Sequence, residues 1–154
     1  MVRVANLDGM SVLAVAGLLA LVAASMGDYG GAAVGLLVAA AGAIELHGVA
    51  LLRAGEARGT NWLVASQPYL LAVMLGYCAV RLTSYDATLL RAAMTDELRA
   101  AIAQAGYREE QFLRTVYTLT YAVVAGTTLI YQGGMTVYYL RRRAAVIAAL
   151  ETEI

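Results

Sequence analysis

The chain has 154 residues, of which 61% are hydrophobic and 14% charged, with a formal net charge of zero. A soluble domain usually carries about 25% charged residues, and one of this length could not hide so much apolar side chain in a single core. With 11 basic residues balanced by 11 acidic ones, no basic stripe is left over for nucleic acid. Cys78 is the single cysteine and sits in an apolar run, which makes it a small packing residue with no disulfide and no zinc cluster.

The composition and the run lengths predict an all-α, polytopic membrane protein forming one domain. Four transmembrane helices are expected, with one or two short amphipathic helices between the third and the fourth. The first span is placed at about 9–27 and is broken by Gly27-Asp28-Tyr29-Gly30. Arg3, the apolar stretch and Val22-Ala23-Ala24-Ser25 share features with a signal peptide. With one positive charge in its n-region, it reads as a retained helix. The second span is placed at about 31–52, ending before Arg53-Ala54-Gly55, and the third at about 62–81.

The segment after Arg81 changes character. Thr83, Ser84 and Thr95 are candidate helix caps, Asp96 and Glu97 suit a first turn, and Gly106 suits a stop. Leu90, Met94, Leu98, Ala101, Ile102 and Ala105 recur at helical spacing. Residues 84–106 are therefore expected to lie on the membrane, to cap the helices, or to dock another membrane protein. The fourth span is placed at about 112–140, before Arg141-Arg142-Arg143, with a helical tail to about 151. Arg3, Arg53, Arg58 and Arg141 to Arg143 would then share one side. The positive-inside rule makes that side cytoplasmic, with both termini on it, as in a bacterial inner membrane.

Polar side chains inside such spans mark candidate function. Glu45 lies eight residues before Arg53, Gln67 five after Trp62 and Gln132 nine before Arg141. At about 1.5 Å per residue, all three fall roughly 8–14 Å from one face. Gly31, Gly35 and Gly42 share the Glu45 side of the second span, where small residues let another helix approach. His47 points some 160° away, by about 100° per residue; it reads as a hydrogen-bonded histidine near the interface or as a proton carrier. On the fourth span Glu110, Arg114, Tyr117, Tyr121, Thr128, Gln132 and Tyr139 form one stripe, flanked by Tyr131. Tyr138 and Tyr139 also suit an aromatic belt.

No catalytic motif, metal-ligand set or cofactor fingerprint is evident. The expected function is a homo-oligomeric channel or transporter for cations, protons or a small solute. Its pathway would run past Glu45, His47, Gln67, Gln132, Tyr117, Tyr121, Thr128 and Tyr131. A scaffold or accessory subunit, whose polar band is packing glue, is the alternative. An enzyme acting on a lipid or quinone through Glu45, His47 and Tyr131 is a third, weaker reading.

Overall fold

The computed structural model describes residues 1–152, which form helices α1 (Val2–Ser25), α2 (Tyr29–Arg53), α3 (Gly59–Thr83), α4 (Thr88–Ala92), α5 (Asp96–Gln104) and α6 (Glu109–Thr152). Among the described residues there is no strand. Three helices, α1, α2 and α3, are long and apolar enough to cross a membrane, with mean hydropathies of 2.1, 1.9 and 1.6. Their outward side chains are apolar: Leu7, Leu18, Leu19 and Leu21 of α1 and Leu36 and Leu37 of α2 are exposed. So wide an apolar surface needs hydrocarbon and not water around it. At 44 residues α6 has ample length, but its tyrosines, threonines and Gln132 keep it outside this apolar class.

Helix ends follow from local chemistry. At the end of α1, Gly27 takes a φ of +78°, the Asp28 amide donates to the Ala23 carbonyl, and the Gly27 amide donates to that of Ala24. This left-handed stop satisfies the last carbonyls and needs a residue without a Cβ. The same pattern recurs at Gly55 and Gly106. Asp28 then caps α2 by accepting from the Gly31 amide at 2.8 Å. The helix α1 is longer than the apolar run it contains. It begins at Val2, ahead of the span placed at about 9–27, and carries Asn6 and Asp8 within it. Both find partners far along the chain: Arg53 Nη2 donates to Asn6 Oδ1, and the Tyr131 hydroxyl donates to Asp8 Oδ1.

The described chain divides into two compact units. One comprises Met1–Met74 with the chain from Thr128 onward, and the other Leu75–Thr127. The core of the first is Ala5, Val49, Leu52, Leu63 and Tyr139. Within it α1 and α2 approach backbone to backbone. A Cβ on Gly42 would meet the Gly9 carbonyl oxygen at 2.6 Å, and one on Gly35 would meet Ala20 Cβ at 2.8 Å. Gly48 of α2 and Gly59 of α3 make a second close crossing, where an added Cβ would lie 2.9 Å and 2.5 Å from the opposing carbonyl. Gly31 plays a different part from Gly35 and Gly42, since a Cβ there would meet only the Asp28 cap.

In the second unit, residues 84–106 form two short helices, α4 and α5. Thr95 caps α5 by accepting from the Leu98 amide at 3.2 Å. Thr83 caps nothing; it is the last residue of α3, and its hydroxyl bonds back to the Ala79 and Val80 carbonyls. Asp86 opens α4 instead, accepting from the Thr88 amide and hydroxyl. Met94 and Ile102 of the expected apolar stripe are buried with Ala87 and Leu113. That side of the segment thus packs on the start of α6, while Leu89 and Leu98 stay exposed.

Candidate functional site

The first unit is organised around one acid. Glu45 lies on the α2 face formed by Ala41, Gly42, Gly48, Val49 and Leu52, all buried at helical spacing. Gly42 and Gly48 stand three residues before and after it. Each marks a close helix crossing, so Glu45 is clamped one turn from both and is only 2% exposed. A carboxylate at such a place needs partners. The fully buried Tyr139 of α6 donates its hydroxyl to Glu45 Oε1. The Asp8 carboxyl of α1 and the Gln67 amide of α3 adjoin the same carboxyl.

A second layer orients these groups. The Tyr131 hydroxyl donates to Asp8 Oδ1 at 3.0 Å. Gln67 Nε2 donates to Ser66 Oγ at 3.2 Å, and Ser66 Oγ donates to the Leu63 carbonyl at 2.9 Å. Pro68 follows directly and has no N–H to give to the preceding turn, which leaves this stretch of α3 rich in acceptors. Asp8 Oδ2, Gln67 Oε1 and Gln132 Oε1 are buried and receive no hydrogen bond from any described residue.

The residues singled out in the sequence do not all gather here. Glu45, Gln67 and Tyr131 belong to the cluster. Gln132 is 5% exposed and lies two turns from Tyr139 on one face of α6, but it is Tyr139 that reaches Glu45. Thr128 is half-buried. His47 is exposed, with its ring edge-on to Trp62 at 5.1 Å between centroids. Glu45, His47 and Tyr131 therefore do not form one acid–base group.

Tyr117 and Tyr121 lie in the second unit, in an aromatic cluster with Tyr77 and Tyr85. There Arg81 Nε donates to the Tyr121 hydroxyl at 3.0 Å, and the Tyr117 hydroxyl donates to the Arg81 carbonyl at 2.9 Å. Arg81 is thus held between two tyrosine hydroxyls, through its side chain and through its carbonyl. Outside the apolar helices, the Thr88 hydroxyl and amide hold the Asp86 carboxyl below its ordinary range. Arg91 does the same for Glu110.

One member of the cluster, Asp8, is missed by the sequence reading, and the role of another, Tyr139, is not drawn from it. Asp8 falls just outside the span placed at about 9–27, because the apolar run starts at Met10. Its signal is that nothing breaks a helix between Val2 and that run. Tyr139 shares the expected stripe with Gln132, and its spacing also suits the aromatic belt, but nothing local names Glu45 as its partner. Among the described residues no three His, Cys, Asp or Glu side chains gather as a metal site. No protein-family model, curated protein or solved structure matches this chain.

Proposed function

We propose that the chain is a homo-oligomeric channel or transporter for cations, protons or a small solute, with Glu45 on its pathway. The observation that carries this reading is the pair of adjoining carboxyls, Asp8 and Glu45, set among helices apolar enough to cross a membrane. Packing alone is served by neutral side chains; an acid at membrane depth is costly and characteristic of ion and proton routes. In this reading α6 is the fourth crossing, over about residues 112–140. Two of its polar side chains, Tyr131 and Tyr139, are spent on Asp8 and Glu45. Both termini then lie with Arg3, Arg53, Arg58 and Arg141 to Arg143 on the cytoplasmic side of a bacterial inner membrane.

The homo-oligomer is supported by the outer face of α6, where Ile130 and Val137 are exposed and a Cβ on Gly134 would meet nothing. Such a face admits another copy, and a cyclic assembly encloses more space than one chain can. The second reading, a scaffold, draws on the Tyr139–Glu45 hydrogen bond, which also ties α6 to α2.

Reconstitution separates the two. Purified protein in liposomes passes cations or protons, and Glu45→Gln suppresses the flux. A folded wild-type protein with no flux, or a Glu45→Gln variant with unchanged flux, defeats the pathway reading and leaves the scaffold.

A further inference from the structure

Around Glu45 the acceptors outnumber the donors. The Asp8 and Glu45 carboxyls supply four oxygens and the Gln67 carbonyl a fifth. Against them stand the hydroxyls of Tyr131 and Tyr139 and the Gln67 amide nitrogen, which Ser66 Oγ shares. The Ser66 proton goes to the Leu63 carbonyl. Asp8 Oδ2 and Gln67 Oε1 remain buried without a donor, on a Gln67 side chain that is 1% exposed.

Among the described residues no ion pair is found to either acid. The chain's basic residues are all arginine. Arg53, the arginine that ends α2, is engaged by Asn6. His47 is turned to Trp62. Two carboxyls in an apolar surrounding cannot both stay ionised without a positive charge between them. A proton shared by the carboxyls would settle their mutual repulsion, but it would leave the Gln67 carbonyl oxygen unpaired. A small cation answers both demands, because hard cations take carboxylate and carbonyl oxygens together.

We propose that Asp8, Glu45 and the Gln67 carbonyl oxygen bind one largely dehydrated monovalent cation of sodium size, with Tyr131 and Tyr139 fixing the two carboxylates. The close crossings at Gly42 and Gly48 leave little room for the several waters that a magnesium ion keeps. Two acids and one amide are also fewer ligands than a calcium site requires. Protons compete for the same carboxylates, so acid weakens binding. The groups that face the ion are Asp8 from α1, Glu45 from α2, Gln67 from α3, and Tyr131 and Tyr139 from α6. This site deepens the transport reading, but it is tested at equilibrium and without flux.

The test uses the full chain in detergent micelles, with radioactive sodium as the probe and choline chloride holding the ionic strength. Saturable binding is expected, displaced by unlabelled sodium, not by choline, and weaker on acidification. Asp8→Asn and Gln67→Leu each weaken it by at least about tenfold, whereas His47→Ala does not. Far-ultraviolet circular dichroism and the fluorescence of Trp62 report whether each variant is folded. Absence of saturable sodium binding to folded wild-type protein overturns the proposal, whatever the variants do. So does wild-type affinity in folded Asp8→Asn, or displacement of sodium by a lower concentration of calcium. Binding without flux would leave this site standing and remove the transport reading. Flux without saturable binding would do the reverse.

Discussion

The Tyr139 hydroxyl donates to the Glu45 carboxylate across 94 residues of sequence, joining α6 to α2 at the level of both glycine crossings. Glu45 is only 2% exposed. Removing that hydrogen bond strands a charge-bearing oxygen in an apolar setting, which costs more than the bond itself contributes.

Tyr139→Phe should therefore lower the thermal midpoint in detergent. Between membrane helices such a bond is worth ~0.6–2 kcal/mol. A double-mutant cycle with Glu45→Gln should return a coupling in that range. Tyr138→Phe is the control, because Tyr138 touches the Tyr139 ring without sharing its hydrogen bond. Equal losses in the two tyrosine variants would show that ring packing, and not the bond to Glu45, carries the effect.

The crossing of α1 and α2 makes a second quantity measurable. Because the atom facing Gly42 is the backbone oxygen of Gly9, at 2.6 Å from an added Cβ, no rotamer change can make space. Gly42→Ala forces the helices apart and should cost about 1–3 kcal/mol, as overpacking does. Gly76→Ala adds a methyl group where nothing lies within 4 Å and should cost nothing. Chemical denaturation in mixed micelles compares the two. Equal stability of the pair would mean that α1 and α2 are not this close.

The apolar runs made the membrane helices legible, and the same runs made Glu45, Gln67 and Gln132 conspicuous, since charges and amides are rare at that depth. What composition could not supply was pairing. Asp8 looked like a flank residue because its helix extends beyond the apolar run, and Tyr131, the partner that makes this tolerable, is 123 residues away. Gly48 and Gly59 carry no periodic signature; they matter because α2 and α3 happen to cross there. The stripe on α6 reads as one face, yet the helix spans both compact units, and Tyr117 and Tyr121 fall in the one without Glu45. Long-range register decides these cases, and no local propensity encodes it.

In the second unit, the Arg91–Glu110 ion pair ties α4 to the first turn of α6. Arg91 lowers the folded Glu110 carboxyl below its ordinary value of 4.5. A depressed carboxyl favours the folded form when ionised, so the contribution is complete above that ordinary value. It fades as the pH falls through the lowered one. Both side chains are about half exposed, so the effect should be small and sensitive to salt. Hydrogen-exchange protection of residues 88–104, corrected for intrinsic rates, should fall on acidification in the wild type. In Arg91→Gln it should be lower already at neutral pH and change less with acid. A wild type and variant with matching profiles would remove the pair from the anchoring of α4.

The proposed crossing of α6 is tested through its length and its charges. At about 1.5 Å per residue, 44 residues extend roughly 66 Å, about twice the hydrocarbon thickness, so part of the helix must lie outside. The arginines at 141 to 143 and the acids at 109 and 110 bracket the stretch that remains. If that stretch crosses, residues 108 and 143 face opposite compartments, and residues 3, 53 and 58 face the same one as 143. Single cysteines at these positions, introduced on a Cys78→Ser background, can be labelled in intact cells with an impermeant maleimide. Labelling should occur at 108 and be absent at 3, 53, 58 and 143. Labelling of 143 together with 108 would mean that α6 does not cross, and the carboxyl pair would then need water to explain its partners in place of a buried ion.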